Sequence, residues 1–260
     1  MKQSQAKKRD NAMTNKILMG LIALVLGLLF LEILIVHSKN EQQKNASNQV
    51  QTARIMANGD LLYHDGLYMS ALQADGSYDF TENFTYVKPW LKQADLVLGD
   101  FEGTINPDYP LSGYPLFNAP QSVTAAIKDA GYDVMDLAHN HILDSGLEGA
   151  FTTADAFKKV GIDPIGVYEK PVRDKAPLLI KNVNGIKVAI LSYAYGYNGL
   201  ESNLTDKEVA DHLSNLDEKT YESRDSACRK KKRISRLSCL RWVLNIVWNR
   251  QMNRLNSIIR

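Results

Sequence analysis

The 260-residue chain is 45% hydrophobic and 23% charged, which is enough apolar content for a packed core and too much for a disordered protein. Its formal charge of +2 averages a basic start (residues 1–16, +4), an acidic body (residues 17–219, −11) and a basic end (residues 220–260, +9). The acidic body argues against a nucleic-acid binder, whose phosphate contacts need a positive face; with both cysteines, Cys228 and Cys239, in the basic end, it is no disulfide scaffold either.

In chain order, residues 1–16 read as a basic cytoplasmic tail. Residues 17–36 follow as an apolar run with a single charge, Glu32, near its outer end. A helix of that length spans about 30 Å, the thickness of the hydrocarbon layer, and Glu32 can reach the interface. The run is too long for an ordinary signal-peptide core and no small-residue cleavage site follows it, so it reads as an uncleaved transmembrane anchor. Basic residues before it place the N-terminus in the cytoplasm and everything after about residue 37 outside the cell membrane. Residues 37–51, rich in Asn and Gln, read as a linker.

From residue 52 to 219 short apolar strands alternate with amphipathic helices, the pattern of an α/β domain. A strand over 52–57 runs into Asn58-Gly59-Asp60, with His64 beyond it. A helix over 84–93 leads to a strand over 96–98 and then Gly99-Asp100-Phe101-Glu102. A helix over 121–130, stopped by Gly131, precedes a strand over 134–138 that ends in His139-Asn140-His141, with Asp144 one turn on. A helix over 147–160 and a short strand over 165–167 come next. Strands over 178–183 and 186–193 flank Asn184-Gly185, the strongest short hairpin signal.

Ligands of open α/β sheets bind beyond the carboxyl ends of the strands. Any one of the three polar strand ends, taken alone, reads as a turn or a solvated loop. Together they offer carboxylates, an amide and imidazoles at successive strand ends, a donor set for Mn, Fe, Zn or Mg rather than for a thiolate-bound metal. One such divalent ion, or a pair, would clamp a phosphoryl group and acidify a bound water.

These residues in this order resemble the CapA, or poly-γ-glutamate capsule, branch of the calcineurin-like metallophosphoesterases. The similarity runs from about Thr52 to about Leu216. It is carried by Gly59-Asp60, by Gly99-x-Phe101-Glu102, by Ala138-His139-Asn140-His141-x-x-Asp144-x-Gly146 and by the Asn184-Gly185 hairpin. The resemblance implies a layered metallophosphoesterase-like fold on one membrane helix, with Asp60, Glu102 and Asn140 as metal ligands. It makes His141 the acid or electrostatic partner of the leaving oxygen, with Asp100 and His64 as weaker candidates. It also implies a role in assembly or export of a capsule or of poly-γ-glutamate, hydrolytic activity by way of the superfamily, and other proteins of that synthesis as partners.

The family's later metal-binding histidines have no counterpart, because His212 is the only histidine after His141. From Thr220 onward eight of the eleven arginines, two of the three tryptophans and both cysteines crowd into 41 residues with no helical or strand period. One reading is a basic amphipathic tail for anionic lipid. The other is out-of-frame translation: with permitted codon choices, a shift of one nucleotide turns Tyr221 onward into an amphipathic helix followed by a strand. The expectation is then a domain over 52–219 that is incomplete at its C-terminus and weakly active at most.

Overall fold

The computed structural model describes residues 50–171 and 178–216, much of a helix before them, and the backbone of a strand at 237–242. The chain divides into two units, Met1–Gln51 and Thr52–Arg260. In the first, residues 27–40 are helical (α1), running four residues into the predicted linker. Leu28, Leu31, Ile35 and Val36 are all about half exposed, so α1 is apolar without a buried face. Among the described residues no helix is long and apolar enough to cross a membrane. Much of the predicted anchor at 17–36, and all of the basic start at 1–16, lie outside the described residues.

The second unit holds strands β1 (Ile55–Leu62), β2 (Leu96–Glu102), β3 (Val134–Asp136), β4 (Asp163–Ile165), β5 (Leu179–Val183), β6 (Ile186–Ser192) and β7 (Leu237–Trp242). Its helices are α2 (Asp65–Ala71), α3 (Lys88–Leu91), α4 (Ser122–Ala130), α5 (Gly146–Lys159) and α6 (Asp206–His212). The first four strands form a parallel sheet in sequential order, and β5, β6 and β7 form a second sheet. The mixed α/β class and the parallel strands agree with the sequence pattern.

Strand alternation sorts the core. Leu96, Leu98 and Val134 pack with Val183, Val188 and Ile190, so one face of the parallel sheet lies on the second sheet. Val97, Phe101 and Met135, one residue out of step, pack with Val123, Ile127 and Phe157 of α4 and α5. Each such side chain, fully buried, contributes about 1.5–3 kcal/mol. The layers are therefore helix, parallel sheet, second sheet.

Local chemistry explains the element ends. Gly131 caps α4 at φ 113, a left-handed conformation costly for other residues. Asn184 and Gly185, at φ 51 and 81, make the predicted tight turn between β5 and β6.

Several elements differ from the sequence expectation. The helix expected over 84–93 is a 3-10 turn, Thr81–Phe84, followed by the single turn α3, because Pro89 within the span has no N–H for an interior helical bond. Strands β1 and β2 do not stop before their acids but carry them inside the strand. The tail, expected to lack strand period, supplies β7, which pairs parallel with β6 from Lys187↔Leu237 to Ser192↔Trp242. An open edge of β6 offers unpaired N–H and C=O groups that any extended run can satisfy. The rest of 217–260 lies outside the described residues.

Candidate metal centre

The site is built by register. Asp60 on β1 pairs with Asp100 on β2, and Asp100 pairs with Asp136 on β3, so three aspartates form one row across the sheet. The Asp60–Asp100 match depends on a bulge: Ala57 pairs with Leu98, yet Asp60 rather than Gly59 meets Asp100. The extra residue switches the side-chain parity of β1, which puts Asp60 on the same face as Asp100. Gly59 therefore serves a bulge and not the sharp turn its sequence suggests. Glu102, two residues beyond Asp100, projects from that face as well.

Asp60, Asp100 and Glu102 each bring one carboxylate oxygen to within 4.8 Å of the others. Burial, reinforced by the charges of Asp136, Asp60 and Glu102, pushes the Asp100 carboxyl up to about 9. Burial and the hydrogen bond and charge of Asp60 push Glu102 up to about 7, against the pull of His141. The Oδ1 of Asp100 is buried without a hydrogen-bond partner. Crowded carboxylates and an orphaned buried oxygen are what a divalent cation would relieve, and hard oxygen donors suit Mg or Mn. Oxygens around one ion at about 2.1 Å sit at most about 4.2 Å apart, so a small inward movement, or a pair of ions, matches the observed spread. The residues present fit such a cation.

His141 lies on the rim of this group, its Nε2 3.9 Å from Glu102 Oε1. Its Nδ1 is 2.8 Å from Asp144 Oδ2, which also accepts the Phe117 N–H at 2.6 Å. Phe117 sets its ring edge-on to His141 at 4.8 Å. Burial alone would lower the His141 imidazole, but the hydrogen bond and charge of Asp144, with Glu102, raise it. His139 is fully buried, and burial pulls it down to about 3, so it is neutral; its Nδ1 accepts the His141 N–H at 3.2 Å.

The loop bearing these residues rests on β4's exit. Gly166 sits at φ +99, and a Cβ there would lie 2.5 Å from the Ala138 nitrogen, so only glycine fits.

The sequence-predicted residues fall out as follows. Asp60 and Glu102 come together, and Asp100, a weaker candidate, joins them. Asn140 neighbours His141 and donates its Nδ2 to Asn198 Oδ1 at 3.3 Å. His64 lies outside the acidic group: it caps α2 through Nδ1, 2.8 Å from Asp65 N, and its ring meets Phe117. His212 bonds the Tyr168 carbonyl at 2.7 Å through Nδ1 and adds nothing to the cluster. Missed in the sequence were Asp136, which accepts Ser192 Oγ and Ala138 N, and Asn198. Strand alternation, Asp100-x-Glu102, was the signal that could have promoted Asp100.

Residues 54–246 match the family described as bacterial capsule synthesis protein PGA_cap. The chain belongs to that family. Among curated relatives, the capsule biosynthesis protein CapA of Bacillus anthracis is 34% identical over 115 residues, 42% of this chain and 28% of that protein. The PGA biosynthesis protein CapA of Bacillus subtilis (strain 168) is 25% identical over 189 residues, 72% of this chain and 48% of that protein. An uncharacterized protein of Sinorhizobium fredii is 28% identical over 160 residues, 58% of this chain and 32% of that protein. The chain spans less than half the length of these relatives. The PGA_cap match covers Asp60, Asp100, Glu102, Asp136 and Asp144 and continues past residue 219.

Proposed function

We propose that this chain is a membrane-anchored, extracytoplasmic component of capsule or poly-γ-glutamate assembly whose acidic rim binds divalent metal and hydrolyses a phosphoester. One observation carries the metal-binding part: Asp60, Asp100 and Glu102 converge at the carboxyl ends of parallel strands beside His141. The assembly role is supported by family membership and by the names of the two CapA relatives. The apolar run at 17–36, with α1 exposed all round, supports the anchor.

In this reading Asp60, Glu102 and Asn140 hold the cation with Asp100. A divalent ion there supplies Lewis-acid polarisation of a phosphoryl oxygen and a water that ionises near neutral pH. Asp144 holds the His141 Nδ1–H, which leaves Nε2 as the atom that gives a proton to the departing oxygen. Phe117 packs edge-on against the imidazole and steadies Asp144 through its own N–H.

Purified full-length chain with Mn²⁺ should cleave a generic phosphodiester, and Asp60→Ala should lower that rate at least about 100-fold. An unchanged rate in the variant would sink the hydrolase reading. The relatives' names, which speak of biosynthesis, favour a second reading as a non-catalytic assembly component. In that case Asp60→Ala leaves partner binding intact, and removal of residues 17–36 abolishes it.

A further inference from the structure

Asn198 comes from the loop after β6, 58 positions along the chain from Asn140, and touches both Asn140 and His141. Its Oδ1 accepts the Asn140 Nδ2 at 3.3 Å. Its Nδ2 lies 3.5 Å from each ring nitrogen of His141. The backbone supports this placement: Asn198 and Gly199 are left-handed at φ 55 and 84, a conformation Asn tolerates better than most residues. The loop is tied down behind it, since Ala194 donates to Ser214 O at 2.7 Å and Leu216 to Ala194 O at 2.8 Å.

We propose that Asn198 is a positioning residue of the metal centre, taking the amide N–H of Asn140 and leaving the Asn140 carbonyl oxygen as the group offered to a cation. This rests on the metal-binding reading above. The physical need is specific. A side-chain amide has a donor end and an acceptor end, and beside carboxylates that have lost their cation the donor end is the one attracted inward. The Asn198 oxygen occupies that donor end, so that Asn140 does not have to turn over when metal binds. Partners of this kind, which orient a ligand without touching the ion, commonly change affinity 10–100-fold when removed.

The test is Mn²⁺ titration of the purified full-length chain, followed by the electron paramagnetic resonance signal of free Mn²⁺. Asn198→Gly keeps the left-handed backbone and removes the side chain; it should weaken Mn²⁺ binding about tenfold. Asn140→Ala should weaken it at least as much, and the double variant should be no weaker than Asn140→Ala alone, because both act through one amide. Asn198→Asp, which keeps the acceptor oxygen, should bind at least as tightly as the unsubstituted chain. The inference fails if Asn198→Gly binds normally, if the two losses multiply, or if Asn198→Asp is as weak as Asn198→Gly. If the unsubstituted chain takes up no Mn²⁺, the metal-binding reading itself is overturned and this inference falls with it.

Discussion

The two halves of strand β2 face the same way and lead opposite lives. Leu96 and Leu98 fill the space between the sheets, whereas Asp100 and Glu102, the next residues on that face, repel each other at the rim. Asp136, paired in register with Asp100, sharpens the contrast: Ser192 Oγ and the Ala138 N–H donate to its Oδ1, although its Oδ2, like the Asp100 Oδ1, is buried without a partner, and burial, opposed by those hydrogen bonds, raises it only to about 7. A buried acid with hydrogen-bond donors is part of the scaffold. One crowded by other carboxylates, as Asp100 is by Asp136, Asp60 and Glu102, is a place where the fold gives up stability for binding.

The contrast can be broken from the apolar half first. Leu98→Ala should destabilise the chain by about 2–5 kcal/mol in urea unfolding, with or without metal; a loss that Mn²⁺ reverses would mean that the two halves are not separate.

The rim should answer with the opposite sign. Asp100 has a folded pKa raised to about 9, so the folded state keeps a proton that the unfolded chain releases above about pH 4. Its penalty is absent below that pH and grows as pH rises towards about 9. Asp100→Asn should therefore stabilise the chelated chain at pH 8, by on the order of 1–3 kcal/mol, and should lose the stabilisation that Mn²⁺ gives the unsubstituted chain. Equal response to Mn²⁺ in both proteins would remove Asp100 from the site.

The smallest effect belongs to His139, whose folded pKa is lowered to about 3. Its neutral form supports the fold above about pH 6.5, and that contribution is lost as pH falls towards about 3. Chelated chain should lose about 1 kcal/mol between pH 6.5 and 5.5 that His139→Asn does not lose. Parallel stability curves for the two proteins would show that His139 is not the buried neutral group described.

Much of this was legible in the sequence because it rests on local rules. Asn184-Gly185 dictates its own turn, Gly131 its own helix stop, and the carboxylate and Asn-His ends of three apolar runs point to one sheet edge. What escaped depends on distant parts of the chain. The bulge that turns Asp60 inward exists only against β2, and Ser192 meets Asp136 only once the second sheet lies on the first. Asn198-Gly199 looks like any turn, and nothing in its spacing announces His141. The strand β7 was hidden for a different reason: its pairing follows from a free edge on β6, not from a pattern of its own.

Gly166 carries a last implication. The segment that presents Asn140 and His141 is propped on bare main chain, so its elevation above the acids is governed by the absence of a single methyl group. Tolerance to change at this centre is thus limited by a position that holds no ligand, bears no charge and follows a different strand.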